Sequence, residues 1–121
     1  MLETGKGLQQ DIPLAIQYFQ RAVNEDYPFA FFKLGHYTFE GKYLPLDKPQ
    51  AAQYFQKGAD LGDETCMFRY GHMLSNGDGI PCDKVEANRY YKMAADKGNV
   101  KAMYNYALAC AKGKGIPVNK D

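Results

Sequence analysis

The chain has 121 residues, the length of one small domain. Lys+Arg total 15 against Asp+Glu 14, a formal charge of +1, which excludes the basic excess of a typical nucleic-acid binder and any electrostatic pull toward a membrane surface. The 45% hydrophobic content is too high for a disordered chain, and no apolar run reaches the roughly 18 residues of a membrane helix.

The elements recur in register. Gly5, Gly41, Gly77 and Gly113 fall at a constant step of 36 residues, as do Asp11, Asp47, Asp83 and then Asn119. The same step links Ala15, Ala51 and Ala87, and Tyr18, Tyr54 and Tyr90. It also links Leu44, Ile80 and Ile116, each directly before a proline. No insertion breaks the step, so the chain reads as a helical repeat array.

The first predicted helix spans about 11–25, with Asp11 as its cap. The second spans 28–40, with Pro28 in the first turn and Gly41 at its end. The third, 47–61, places Ala51, Ala52, Tyr54, Phe55 and Ala59 at i, i+3, i+4 spacing behind Asp47, and Gly62 closes it. The fourth, 63–76, starts at Asp63 and stops at Gly77, where the loop Gly77-Asp78-Gly79-Ile80 requires a positive φ. The fifth, 83–97, repeats the third from Asp83 to Gly98, and the sixth, 99–112, runs from Asn99 to Gly113. Gln50 and Glu86 follow Asp47 and Asp83 at capping-box spacing. Gly5-Lys6-Gly7-Leu8 reads as the same loop again. The predicted organisation is one segment: a partial repeat at 1–27, repeats at 28–62 and 63–98, and a partial repeat at 99–121.

These residues resemble the Sel-1-like repeat, a relative of the tetratricopeptide repeat with a longer loop. Cys66, Tyr70, Gly71, Gly77, Gly79, Ile80, Asp83, Ala87, Tyr90, Tyr91, Ala94, Ala95 and Gly98 occupy the family pattern in order. Ala30, Leu34, Gly35, Gly41, Leu44, Asp47, Ala51, Tyr54, Phe55, Lys57, Ala59 and Gly62 do so one unit earlier. Tyr43 departs from the pattern by replacing the second loop glycine, which predicts a stiffer loop. The resemblance implies an all-α fold: a right-handed α-α superhelix, or solenoid, of 36-residue helix-turn-helix units. It also implies a non-enzymatic scaffold or adaptor for protein complexes, in signalling or quality control, usually within a longer chain. Some secreted bacterial relatives carry a disulfide in each repeat; here no full repeat has two helical cysteines.

Catalytic and ligand chemistry find little support. Asp11, Asp47 and Asp83 sit where caps belong. Gly113-Lys114-Gly115 lacks the strand and the Lys-Ser/Thr ending of a phosphate loop. Ser75 has no nucleophile-elbow neighbours, and Cys66 lies about 240° around its helix from His72. Cys66 holds the small core position also taken by Ala30 and Ala102, whereas Cys82 lies in a loop. His36 and His72 lie on neighbouring helices with Leu108 next in the series, too far apart for a shared metal. No enzyme, cofactor or metal is expected. Three cysteines and an N-terminus without an apolar core point to a reducing, cytoplasmic setting.

The informative face belongs to the first helix of each unit. With Ala30 at zero and about 100° per residue, Phe31, Leu34, Gly35 and Thr38 share a packing arc of about 140°. Phe32, Lys33, His36, Phe29 and Glu40 take the opposite arc. The equivalent residues include Phe68, Arg69, His72 and Asn76, then Tyr104, Asn105, Leu108 and Lys112. In solenoids of this kind that arc lines the concave surface. The expected partner-binding residues are therefore Phe32, Lys33, His36, Phe68, Arg69, His72, Tyr104 and Leu108, an aromatic row with a basic edge. The occupant would be a protein or peptide. An architectural spacer is the alternative, in which the row packs between units. Single-stranded RNA binding is a third reading, disfavoured by the charge. The expected apolar ends, Ile12, Ile16, Phe19 and Val23 against Met103, Tyr106, Ala107 and Cys110, are complementary, which suggests head-to-tail self-association.

Overall fold

The computed structural model describes residues 9–113. They form six α-helices: α1 Ile12–Asn24, α2 Pro28–Glu40, α3 Lys48–Asp60, α4 Glu64–Asn76, α5 Lys84–Asp96 and α6 Val100–Lys112. No strand occurs among the described residues. Each helix packs on the next in sequence, and α2 also touches α4. This is an all-α helical repeat solenoid. The loop Gly5–Leu8 and the cap expected at Asn119 lie outside the described residues.

Local chemistry sets the boundaries. The carboxylates of Asp11, Asp47 and Asp83 accept the backbone N–H of Leu14, Gln50 and Glu86 at 3.0–3.1 Å. Asp63 and Asn99 accept from Cys66 and Ala102 at 2.8 Å. Each bond satisfies an amide that a helix start would otherwise leave open. Glu86 does not complete a reciprocal box, because its carboxylate is held by Arg89, whose Nε donates to it at 3.0 Å. At the other ends, Gly41 and Gly77 adopt left-handed φ values of 68° and 64°. The loops that follow are pinned by the Asp47 and Asp83 amides, which donate to the Thr38 and Leu74 carbonyls at 2.9 Å. Tyr43, in the stiffer loop, keeps a positive φ of 68° despite its side chain.

The core lies along the seams between helices. Leu34, Ala51, Phe55, Cys66, Ala87 and Ala94 are fully buried. Within a unit, Gly35 lets α2 approach the Phe55 ring of α3; a β-carbon at Gly35 would stand 2.7 Å from that ring. Gly71 makes the same approach to Tyr91, at 3.1 Å. Polar links cross from unit to unit. Asn99 donates from its side chain to the Glu64 carboxylate at 2.6 Å, and Lys48 pairs with Asp78 at 2.8 Å.

Candidate protein-interaction face

The helical phase read from sequence matches the burial in α2, where Ala30, Phe31, Leu34, Gly35 and Thr38 are all buried. On the opposite arc the first two rings of the aromatic row are half-buried and the third is exposed. Phe32 is half-buried; it stacks on His36 at 6.0 Å and meets the Phe55 ring at 6.2 Å. Phe68 repeats the arrangement, stacked on His72 at 5.9 Å and against Tyr91 at 5.8 Å. The i, i+4 spacing brings each ring pair together on one helix face. At the third position the pair becomes Tyr104 and Leu108, and Tyr104 is 65% exposed.

The charged residues do not form one open edge. The Lys33 ammonium lies 5.7 Å from the centre of the Tyr37 ring on its own helix. Arg69 folds inward, and its guanidinium carbon lies 5.7, 5.5 and 5.0 Å from the Phe32, Phe39 and Phe55 ring centres. These faces are electron-rich, so the cation joins the seam between units instead of standing free. Burial lowers its pKa, against the pull of Glu40. His36 sits beside it. Burial and then the Arg69 charge lower the His36 pKa, and its Nδ1 is buried with no hydrogen-bond partner among the described residues. Burial drives the Cys66 pKa well up, reinforced by Asp63, so that thiol is held as a packing group; Cys82 is exposed. Among the described residues no three His, Cys, Asp or Glu side chains gather around a common point.

A cavity of about 240 Å³ opens where α4, α5 and α6 meet. His72, Ser75 and Asn76 come from α4, Asn105, Leu108, Ala109 and Lys112 from α6. Lys84, Asn88 and Tyr91 of α5 complete it, and these three escaped the sequence reading, which followed only the first helix of each unit. Their signal was available: Asn88 is a buried polar residue where the register elsewhere holds Ala52. Burial raises the Tyr91 pKa, and the polar groups of Ser75 and Asn105 beside its hydroxyl oppose that rise. The Asn76 amide donates to His72 Nε2 at 3.0 Å, the orientation in which the ring nitrogen accepts.

The two ends differ from the sequence expectation in detail. In α1, Ile16 is buried and Ile12, Phe19 and Val23 are half-buried toward α2; the exposed side chains are Leu14 and Tyr18. In α6, Met103, Ala107 and Cys110 are exposed, and Tyr106 packs partly on the core.

The Sel1 repeat family profile matches residues 1–27, 28–63, 65–99 and 100–121. No curated protein sequence matches the chain. Among solved structures, a Sel1 repeat protein from Oxalobacter formigenes is 32% identical with a TM-score of 0.84, over 95% of this chain and 47% of its own. A protective antigen present in uropathogenic Escherichia coli strains, displaying an SLR fold, is 28% identical with a TM-score of 0.85, over 93% of this chain and 24% of its own. Helicobacter pylori cysteine rich protein B shares the fold at 24% identity and a TM-score of 0.78, over 83% of this chain and 75% of its own. The chain thus spans about half of the first of these proteins and about a quarter of the second.

Proposed function

The chain belongs to the Sel1 repeat family, and from that premise we propose that it is a non-enzymatic scaffold segment holding a partner peptide or protein on the α2, α4 and α6 face. In this reading Phe32, Lys33, His36, Phe68, His72, Tyr104 and Leu108 lie on that face, the concave one, and Arg69 braces it from the seam behind. The observation that carries the reading is the cavity of about 240 Å³ on that face between α4 and α6, with Leu108 in its wall. An apolar side chain at a hollow edged by polar groups is the kind of anchor interfaces use. Direct contact of α2 with α4 supports the assignment of this row to the inner side of the curve. The free cysteines fit a cytoplasmic setting.

The test is selection of binding peptides from a displayed library, followed by competition with Tyr104→Ala and Leu108→Ala variants. Peptides that lose affinity for both variants support the face. Selected peptides indifferent to both would move the site elsewhere.

A spacer role is the second reading, and one observation favours it: Phe32 and Phe68 pack against the buried core. Head-to-tail self-association between the α1 and α6 ends fits the exposed Leu14, Tyr18 and Met103. Sedimentation of the chain over a range of concentrations decides that point.

A further inference from the structure

The cavity between α4, α5 and α6 has a counterpart one unit earlier, and the two have opposite contents. At the register positions of Ser75, Asn76, Asn88, Asn105 and Ala109, the earlier unit carries Phe39, Glu40, Ala52, Arg69 and Met73. There Arg69 lies over the Phe39 and Phe55 rings, and Met73 is buried, so side chains fill the space. In the later unit every one of these groups except Ala52 is replaced by a smaller one, and Ala52 itself is replaced by an amide. The hollow is therefore what remains when the plug of the earlier unit is removed and its walls are made polar.

The charge changes with it. In the earlier unit Lys48 is neutralised by Asp78 at 2.8 Å. Its equivalent, Lys84, donates to the Ser75 carbonyl at 3.0 Å, which uses one of three ammonium protons. In sequence the position equivalent to Asp78 is Lys114, and the position equivalent to Glu40 is Asn76. Among the described residues the cavity lining thus holds two ammonium groups, Lys84 and Lys112, with amides and no carboxylate. Leu108 and Ala109 give it an apolar wall. Its volume, about 240 Å³, lies below the roughly 300–1,000 Å³ of small-molecule sites and suits one or two side chains.

The geometry points to a specificity pocket for an acidic side chain, glutamate or aspartate, of an extended partner segment. The inference rests on the scaffold reading above and names the chemistry of its ligand. The methylene groups of such a residue lie against Leu108 and Ala109. Its carboxylate accepts charge-assisted bonds from Lys84 and Lys112, and the Asn76 and Asn105 amides at the rim serve the remaining lone pairs or the adjacent peptide groups. A chain-terminal carboxylate has no methylene stem to place on the apolar wall, which is why the side chain is the chosen occupant.

The experiment is an amide NMR titration of the whole chain with two blocked peptides, acetyl-Ala-Glu-Ala-Glu-Ala-amide and its Gln counterpart. Both ends are capped, so side chains supply the only carboxylates. The expected result is movement of the Asn76, Asn88 and Asn105 side-chain amide signals with the Glu peptide and not with the Gln peptide. Lys84→Gln with Lys112→Gln should weaken binding roughly tenfold or more. Both lysines are exposed, so that variant keeps its fold. Asn105→Arg, which restores the plug of the earlier unit, should abolish the shifts. Equal binding of the two peptides, no shift of these amides at millimolar peptide, or indifference to the double lysine variant overturns the pocket. Library-selected peptides that need Tyr104 but show no acidic preference would sink this inference alone and leave the scaffold reading standing.

Discussion

Gly58 of α3 and Cys66 of α4 share one packing position between them: a β-carbon on Gly58 would clash with the Cys66 Sγ. The register shows one other solution of the same contact, used twice: Ala22 with Ala30 and Ala94 with Ala102. A pair of alanines and a glycine–cysteine pair both fill the seam. Gly58→Ala alone should overpack it and cost about 1–3 kcal/mol. Gly58→Ala with Cys66→Ala should recover most of that loss, helped by the better helix propensity of alanine. Urea unfolding of the four proteins measures the coupling, expected at about 1 kcal/mol or more. Additive effects would mean that Cys66 swings aside without penalty.

The cap at Asp83 closes α5 by accepting the Glu86 amide at 3.0 Å. Asp83→Ala should cost about 1 kcal/mol, the usual loss for an N-cap. A change indistinguishable from zero by urea unfolding would remove the capping role.

His36 makes acid stability depend on the seam. Burial lowers its pKa from the ordinary 6.5, Arg69 next adds to the lowering, Glu40 opposes it, and Lys33 and Lys42 reinforce it. The native pKa is below the unfolded one, so the unfolded chain takes up the proton first as pH falls. Stability from this group is therefore full above the unfolded value and is lost as pH drops toward the native value. The urea midpoint should fall between about pH 7.5 and about pH 5.5, and fall less in His36→Gln. An equal decrease in both proteins would assign the effect to other groups.

The aromatic row should split under mutation. Tyr104→Ala should change stability by no more than about 0.5 kcal/mol, because the ring is mostly in solvent. Phe68→Ala should cost about 2 kcal/mol or more, because that ring packs on Tyr91 and the core. Thermal unfolding followed by circular dichroism separates the two, and similar losses would contradict the burial gradient.

Gly79 and Tyr43 hold the same loop position with opposite tolerance. Gly79 has φ 83°, and a β-carbon there would strike the Lys48 stem. Gly79→Ala should cost about 1–2 kcal/mol or more. Tyr43 bears its positive φ with its ring edge-on to Tyr37 at 5.1 Å. Tyr43→Gly relieves the strain and loses that contact, so its net effect should stay within about 1 kcal/mol. A large loss at Tyr43 would show that the ring contact outweighs the strain.

The residues whose roles sequence reading missed share one property: those roles depend on a neighbour far along the chain. Arg69 was expected as part of a basic edge, yet it lies over Phe55, fourteen positions away on another helix. Periodicity gives the side of a helix a residue faces. It does not say whether a long side chain on that side turns outward to water or back across the seam. Lys84, Asn88 and Tyr91 belong to a helix whose phase points mainly to the core, and only the space left by Ser75, Asn105 and Ala109 turns them into a lining.

The six helices, their caps and their left-handed ends were legible along the chain, because each rests on contacts within about four residues. An aspartate three positions before an amide, or a glycine at a positive φ, acts without regard to the rest of the fold. The register also fixed which positions recur from unit to unit. Which recurring positions are filled and which are open depends on how the helices pack together. Phe39, Arg69 and Met73 close one seam, whereas Ser75, Asn105 and Ala109 leave the next one hollow. That outcome is a matter of volume and charge summed over three helices, which no single stretch of sequence contains.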